Sequence, residues 1–272
     1  MDPKDKLDIL KSSIKKMDKI MIAFSSGVNS TFLLKVAHDV LGPNVIAVTA
    51  RSSTYPEREY KEASIFAQQL GVKHIIITSE ELDIEDFSVN PLNGCYLFKK
   101  GLFRKIRQVA NLYGFYYLTD ASNFDELGDY SPGMQAADEL GVVSPLKDAG
   151  LTKDDIRTLS REMGLLTWDK LAFACLSSRF PYGEKKTREK LNMVENAEQF
   201  LLNSGFKLIR VRHHGDVALI EVSPSERKRF LDDQLLEQIY EAFKGIGFMY
   251  TALDLQDYRT GSKKKAKFLR AN

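Results

Sequence analysis

The segment from Lys19 to Val40 constrains the fold of this chain more than any other. Residues 20–24 have the pattern of a short buried strand, residues 25–30 form a turn of small residues, and residues 30–40 continue as a helix. A helix that begins directly after such a turn offers unpaired N–H groups and its positive dipole end to an anion. The segment therefore predicts a nucleotide-phosphate site formed by Ser25, Ser26, Gly27, Val28, Asn29 and Ser30.

The same turn is also compatible with an ordinary strand-to-helix connection, because Ser and Asn often cap helices. Its position after the first strand of an α/β chain favours the ligand site, since ligands gather at the carboxyl ends of the strands in such sheets. No Gly-Lys-Ser/Thr follows, so the turn is not a Walker A loop.

Strands and helices alternate through the first part of the chain. The predicted strands span 20–24, 45–49, 74–78 and 115–118, and the predicted helices span 6–17, 30–40, 57–70, 98–112 and 153–163. Short apolar strands separated by helices predict a parallel sheet covered on both faces. We therefore expect an α/β fold, with a parallel-sheet nucleotide-binding domain over residues 1–170.

The pattern changes after residue 170. A helix is predicted at 187–203, then strands at 207–212 and 217–222 joined as a hairpin near Gly215, then a helix at 224–244 and a strand at 248–253. This order predicts a smaller α+β domain over residues 171–272, with a sheet that is antiparallel at least in part.

Composition narrows the classes of function. The chain has 272 residues, 43% of them hydrophobic, and a net charge of +2, which favours a globular protein without a nucleic-acid partner. No apolar run is long enough to span a membrane, and the first residues do not resemble a signal peptide. Two cysteines, Cys95 and Cys175, do not make a disulfide scaffold. We expect a cytoplasmic location.

Cys175 is a candidate nucleophile. It precedes Ser177, Ser178 and Arg179 and lies near Lys185, and neighbouring cations favour the reactive thiolate form of a cysteine. A lone cysteine is more often a small buried apolar residue. The residues alone therefore leave both interpretations open.

Polar residues follow the fourth predicted strand. Asp120, Asn123, Asp125 and Asp129 are placed where carboxylates can hold Mg²⁺ against phosphates. Asp and Asn also cap turns, and the sequence favours neither role over the other.

Arg210 and Arg212 lie on one face of a predicted strand, because residues two apart point the same way. Two adjacent guanidinium groups are suited to a bound phosphate. Pairing with a carboxylate on the next strand, such as Glu221, is the alternative, and the sequence slightly favours it.

Taken together, these segments resemble the LarE-type sulfur transferases, a branch of the PP-loop ATP pyrophosphatases whose loop has the pattern SGGxDS. The similarity extends over nearly the whole chain and rests on several short motifs in combination. They lie at residues 25–30, 54–59, 90–91, 95–96, 99–100, 120–125, 128–130, 132–133, 144–146, 178–183, 210–212 and 253–255.

The resemblance implies a reaction. LarE-type enzymes use ATP and Mg²⁺ to adenylate a carboxylate of pyridinium-3,5-biscarboxylic acid mononucleotide, and a cysteine then gives up its sulfur to the activated carboxylate, leaving dehydroalanine. Cys175 matches the sacrificial cysteine and Arg210 and Arg212 match phosphate-binding arginines. Glu198 and Glu221 match active-site carboxylates, either of which can accept a proton. The residues that match the family's nucleotide-binding set are Asp120, Asn123 and Arg179. Those that match its metal-binding set are Asp125 and Asp129. The resemblance also implies a homo-oligomer.

The chain also departs from the family pattern. Ser26 replaces a Gly, Asn29 an Asp, and Ser131 and Gln135 replace basic residues. A related branch carries three cysteines and an iron–sulfur cluster, but Phe98 occupies the second cysteine position here, so no cluster is expected. Two alternatives stay open: another PP-loop adenylating enzyme, such as an amidotransferase or tRNA thiolase, and a degenerate nucleotide-binding protein. The loop substitutions favour the latter and the retained Cys175 opposes it.

Overall fold

The chain divides into two compact units, each with its own sheet. The computed structural model describes residues 1–83, 85–91, 93–128, 132–171 and 175–256. The units are Met1–Cys175 and Leu176–Asn272, so the division falls a few residues after the predicted boundary at residue 170. No helix within the described ranges combines the length and the apolar character that a bilayer crossing requires.

The first unit is built on a four-stranded parallel sheet in the order β3-β2-β1-β4. The strands are β1 (Ile20–Ala23), β2 (Val45–Arg51), β3 (Lys73–Thr78) and β4 (Tyr117–Thr119). The parallel pairing confirms the predicted α/β fold class. The chain moves outward from β1 to β3 and returns to place β4 on the other side of β1. The loop after β1 therefore lies at the point where the strand order reverses, which is where α/β sheets bind ligands.

Helices cover both faces of this sheet. They are α1 (Pro3–Met17), α2 (Val28–Leu41), α3 (Glu57–Leu70), α4 (Glu85–Ser88), α5 (Gly94–Leu112), α6 (Pro132–Glu139), α7 (Pro145–Asp148) and α8 (Lys153–Glu162). Because strand side chains alternate, Ile20 and Ile22 pack into the core under α1, α2 and α8, whereas Met21 packs against Phe103 and Ile106 of α5. Helix α5 begins before the predicted start at Phe98, which places Cys95 in its first turn.

The second unit has a three-stranded sheet in the order β5-β6-β7. It consists of α9 (Arg188–Asn203), β5 (Ile209–His214), β6 (Val217–Val222), α10 (Asp233–Ile246) and β7 (Tyr250–Leu253). Strands β5 and β6 form the predicted antiparallel hairpin, and Gly215 in its turn has a φ of 62°, which glycine adopts freely. Strand β7 is parallel to β6.

The helix predicted over 224–244 is wrong in its first part. A short 3-10 helix spans Arg227–Leu231, and α10 begins only at Asp233. The reason is local, because the Asp232 side chain accepts hydrogen bonds from the N–H groups of Gln234 and Leu235 and so caps a new helix.

Candidate active site

The loop between β1 and α2, residues 25–30, is called the phosphate loop here. Gly27 precedes α2 in extended conformation and has no side chain to cap the first turn of the helix. The loop is closed on itself, since Ser25 N–H donates to Ser30 Oγ at 3.3 Å and Ser30 Oγ donates to Gly27 O at 3.2 Å. The first amides of α2 are thus presented on a fixed loop, as an anion site requires.

Ser26 adopts a left-handed conformation, with a φ of 51°, at the position where the family pattern has glycine. Its side chain is buried, and Ser26 Oγ donates to the backbone oxygen of Glu59 at 3.1 Å. For a residue with a Cβ, the left-handed region costs about 1–2 kcal/mol. The loop therefore keeps the backbone shape that glycine favours, although serine occupies the position.

We expect Ser26→Gly to be more stable than Ser26→Ala by about 1 kcal/mol, the reverse of the usual order. Both variants lose the hydroxyl, so their difference isolates the backbone. The free energy of unfolding in urea is measured by the fluorescence of Trp168, the single tryptophan of the chain. At the exposed helical position Ser12 in α1, glycine should instead be less stable than alanine by about 1 kcal/mol. If the glycine and alanine variants had the same order of stability at both positions, the backbone strain at Ser26 would be contradicted.

A cavity of about 320 Å³, called the phosphate cavity, opens in front of this loop. Its wall contains Ser25, Gly27 and Asn29 of the loop, the ammonium groups of Lys99, Lys153 and Lys170, and the carboxylates of Glu59, Asp120 and Glu126. Ammonium groups around a helix N-terminus suit a polyphosphate, because each contributes charge-assisted hydrogen bonds.

Asn29 ties the phosphate loop to two other segments. Asn29 Nδ2 donates to the backbone oxygen of Ala121 at 3.0 Å, and Asn29 Oδ1 accepts from Lys153 Nζ at 2.7 Å. Burial, helped by the charge of Arg157, lowers the pKa of Lys153. The Asn29 amide therefore fixes Lys153 at the cavity wall. Burial destabilises the protonated form of this lysine, and an anion bound in the cavity would favour that form.

Asp120 is buried at the end of β4. Its carboxylate accepts hydrogen bonds from Ser122 Oγ and Ser144 Oγ, both at 2.7 Å, and Lys99 Nζ lies 4.0 Å away. Asp120 lines the phosphate cavity. The predicted carboxylate after the fourth strand is thus held in a defined orientation beside a lysine.

The other predicted polar residues after β4 are placed differently. Asn123 N–H donates to Glu126 at 3.1 Å, whereas Asp125 accepts the backbone N–H of Lys153 at 2.7 Å at the start of α8. Asp125 thus satisfies the first N–H of α8, next to the N-cap Thr152, and Glu126 of the same segment lines the phosphate cavity. Asp129 lies outside the described residues. Within the described part of the chain, no group of three or more His, Cys, Asp or Glu side chains forms a metal cluster.

A second cavity of about 190 Å³, called the thiol cavity, adjoins the phosphate cavity. Cys175 is half-buried and lines it together with apolar side chains such as Phe24, Val48 and Ile106. Both cavities are lined by Ser25, Tyr55 and Phe98. The Tyr55 hydroxyl donates to Ser25 O at 2.7 Å, and burial together with Glu59 raises its pKa, which keeps it a neutral donor. Cys175 is therefore neither sealed in the core nor remote from the phosphate loop.

A buried carboxyl group, Glu81, lies behind the thiol cavity. Ser52 and Thr54 line the cavity, their hydroxyl oxygens are 2.9 Å apart, and Thr54 Oγ1 donates to Glu81 Oε2 at 3.1 Å. Burial raises the pKa of Glu81 above its ordinary value.

This shift predicts a pH-dependent effect of Glu81→Gln. The stability that the protonated form of Glu81 contributes is complete below its ordinary pKa of 4.5 and is lost as pH rises through the raised pKa of the folded state. The variant should therefore gain free energy of unfolding relative to the wild type as pH rises above about 4.5. Urea unfolding at several pH values measures this difference. Glu237→Gln, on an exposed position of α10, is the matched control, and parallel pH profiles for the two variants would contradict the shift.

In the second unit, Arg179 and Glu198 form a buried ion pair. Arg179 Nε and a terminal nitrogen of its guanidinium donate to the two oxygens of Glu198 at 2.8 and 3.0 Å. The Arg179 side chain is 1% exposed and that of Glu198 is 0% exposed. The N–H of Val211 also donates to Glu198 at 3.1 Å, so this carboxylate joins α9 to β5.

Arg210 and Arg212 lie on β5, facing Glu221 of β6. Arg212 donates to both oxygens of Glu221 at 2.7 and 3.1 Å, and Arg210 is the register partner of Glu221. A further Arg212 nitrogen donates to the backbone oxygen of Ser178 at 2.7 Å. The carboxylate pairing that the sequence favoured is present, although the three side chains are buried rather than solvated.

Sequence reasoning missed Lys153, Lys170 and Glu126 as residues of the site. Lys153 does have a local sequence signal, because the charge of a lysine in the first turn of a helix opposes the helix dipole. Such a lysine is unfavourable for the helix itself, which indicates a role outside it. Lys170 carries no local signal, since its partners are far away in sequence.

The parallel sheet, the phosphate loop at its switch point and the lysines around the cavity define the class of this molecule, an α/β protein of the PP-loop type. Comparison with known proteins refines the class. An uncharacterised protein of Synechocystis sp. is 40% identical over 256 residues, 94% of this chain and 96% of the relative. The pyridinium-3,5-bisthiocarboxylic acid mononucleotide synthase of Lactiplantibacillus plantarum is 35% identical over 255 residues, 93% and 91% of the two chains.

A more distant similarity covers only part of the chain. One of the subunits of the glutamine-hydrolysing GMP synthase of Thermoplasma volcanium is 26% identical over 175 residues, 59% of this chain and 55% of the relative. No protein-family model matches the chain. The full-length similarity shows that the chain belongs to the family of LarE-type sulfur transferases within the PP-loop superfamily, as its motifs predicted.

Proposed function

We propose that this chain is an ATP-dependent sulfur transferase of nickel-pincer cofactor biosynthesis. It adenylates a carboxylate of a pyridinium dicarboxylate mononucleotide and transfers the sulfur of Cys175 to it. The observation that carries the proposal is that Cys175 and Ser25 of the phosphate loop line one cavity. The substrate class follows from the 35% identical relative, whose name describes a bisthiocarboxylic acid of a pyridinium mononucleotide.

The two adjoining cavities suit an extended nucleotide. The triphosphate would occupy the phosphate cavity, against the first amides of α2 and the ammonium groups of Lys99 and Lys153. Mg²⁺ binds through one or two carboxylates together with phosphate oxygens, and the carboxylates of Asp120 and Glu126 fit this donor set. When bound, the ion would offset charge on the phosphates.

The proposed reaction has three steps. A substrate carboxylate oxygen attacks the α-phosphorus of ATP, and pyrophosphate leaves. The Cys175 thiolate then attacks the acyl carbon, AMP leaves and a thioester forms. Finally a base removes the Cα proton of residue 175 and the Cβ–S bond breaks, which releases the thiocarboxylate and leaves dehydroalanine in the chain.

The charged residues of the second unit are proposed to serve the substrate. Arg210 and Arg212 would bind its phosphate, because guanidinium groups make paired hydrogen bonds to phosphate oxygens. Glu221 holds Arg212 and Glu198 holds Arg179 through bidentate ion pairs, which fixes the donor directions of both arginines. One of these two carboxylates, Glu198 or Glu221, accepts the proton in the last step.

Incubation with ATP, Mg²⁺ and the dicarboxylate mononucleotide tests the proposal. We expect AMP, pyrophosphate and a loss of about 34 Da at Cys175, which corresponds to removal of H₂S after covalent catalysis. AMP without the mass loss would favour a second candidate, another PP-loop adenylating enzyme, to which the partial similarity with GMP synthase points. No AMP at all would indicate a nucleotide-binding protein without this chemistry.

A further inference from the structure

We propose that Lys170 is a positioning residue that couples the phosphate loop to the segment carrying Cys175. Occupation of the loop by nucleotide phosphates would thereby set the placement and the reactivity of the thiol. This inference deepens the proposed function and rests on it for its biological meaning. The coupling itself requires only that nucleotide binds.

The Lys170 ammonium group joins the loop to α3. Lys170 Nζ donates to Ser26 O at 3.2 Å, to Glu59 Oε2 at 2.7 Å and to Glu62 Oε2 at 2.5 Å. The Lys170 side chain is 13% exposed and that of Glu59 is 5% exposed. Shielded ion pairs of this kind constrain geometry far better than exposed ones, because water competes less for the charges.

These contacts act on the strained residue of the loop. The Ser26 oxygen is held by Lys170, and the Ser26 hydroxyl is held by the backbone oxygen of Glu59. In a planar trans peptide the C=O of Ser26 and the N–H of Gly27 point in opposite directions. Lys170 therefore fixes the direction of the Gly27 amide, and Gly27 lines the phosphate cavity.

The backbone around Lys170 is fixed as well. Arg157 of α8 donates to the backbone oxygens of Trp168 and Lys170, each at 3.2 Å. Cys175 follows five residues later in the chain, a span of at most about 18 Å when fully extended. The cavity that Cys175 lines shares Ser25 and Tyr55 with the cavity that Lys170 lines, so a shift of the loop at Lys170 changes walls that the thiol also faces.

The charges supply the driving force for such a shift. The Lys170 ammonium lies between the carboxylates of Glu59 and Glu62 while it also lines the phosphate cavity. A polyphosphate entering this cavity repels those carboxylates and so weakens their hold on the ammonium. The arrangement at Lys170 therefore differs between the empty and the occupied loop, which is what coupling between two sites requires.

The test uses the full chain and the alkylation of Cys175 by iodoacetamide, measured by peptide mass spectrometry with and without saturating ATP. The variants are Lys170→Met, which keeps the length of the side chain, and Lys170→Met/Glu59→Gln, which also removes the buried carboxylate charge and so protects folding. Lys61→Met, at an exposed position of α3, is the matched control, and the exposed Cys95 is the internal reference in each sample.

In the wild type and in Lys61→Met, ATP should change the alkylation rate of Cys175 at least about fivefold, as expected for a coupling of roughly 1 kcal/mol or more. In both Lys170 variants the ATP effect should disappear while equilibrium dialysis still detects bound ATP. If Lys170 had a merely structural role, the ATP effect would remain intact in the double variant. That result would overturn the proposal.

Two other results would also overturn it. A wild-type alkylation rate that ATP leaves unchanged removes the coupling, and loss of ATP binding in the double variant makes Lys170 a phosphate ligand instead. Failure of the proposed function is read separately, as absence of AMP and of the mass loss at Cys175 in the wild type.

Discussion

Cys175→Ser should abolish sulfur transfer while adenylation continues. A serine hydroxyl nearly preserves the volume of the thiol and therefore the shape of the thiol cavity. It supplies no sulfur and is a far weaker nucleophile at neutral pH, so thiocarboxylate formation should fall by at least about a thousandfold. Pyrophosphate release and the yield of thiocarboxylate, both followed with ATP, Mg²⁺ and the dicarboxylate mononucleotide, measure the two steps separately.

Cys95→Ser is the matched control for this experiment. Cys95 is exposed in the first turn of α5, whereas Cys175 is half-buried beside the phosphate loop. The control variant should retain the full yield of thiocarboxylate and the loss of about 34 Da at Cys175 that covalent sulfur transfer predicts. Thiocarboxylate formed by Cys175→Ser, or lost in Cys95→Ser, would contradict the assignment of the sulfur source.

The sequence predicted those parts of the fold and the site that depend on neighbouring residues. The segment from β1 through Ser25–Ser30 to α2 could be predicted because the apolar run, the small turn and the helix are adjacent in the chain. The parallel sheet followed from the alternation of strands and helices. The left-handed conformation of Ser26 was foreseeable only as a consequence of the resemblance, which places glycine there.

The parts of the site that the sequence did not predict depend on contacts between distant segments of the chain. Lys170 reaches Ser26 across 144 positions, and Lys153 reaches Asn29 across 124, so no local pattern indicates which residue either lysine contacts. Asp125 and Glu126 illustrate the same limit. Both follow β4, and only the folded chain shows that Asp125 accepts the first N–H of α8 while Glu126 lines the phosphate cavity.

The arginines of the second unit show why a sequence pattern cannot separate binding from structure. Alternation on β5 places Arg210 and Arg212 on one face whether that face meets a phosphate or a carboxylate. The choice depends on burial, because a desolvated guanidinium requires an anionic partner in the absence of ligand. Glu221 supplies it in the folded chain, and a bound phosphate would share the same donors.

The second large effect is expected on the stability of the second unit. Arg179→Met leaves Glu198, which is 0% exposed, without its bidentate partner. Removing one member of a buried ion pair costs about 3–5 kcal/mol, because the remaining charge stays desolvated. Hydrogen exchange of peptides from α9 and β5 at increasing urea concentration measures the loss. Lys228→Met, at an exposed position, is the control and should change stability by less than about 0.5 kcal/mol.

Arg179→Met/Glu198→Met separates the structural role of this pair from chemistry. Replacing both members by apolar side chains removes the buried charge, so the double variant should recover most of the lost stability. A double variant as unstable as Arg179→Met would show that the cost does not come from the buried carboxylate. In the refolded double variant, accumulation of the thioester on Cys175 without release would make Glu198 the proton acceptor of the last step. Completed elimination in that variant would assign this proton transfer to Glu221, the other carboxylate held by an arginine.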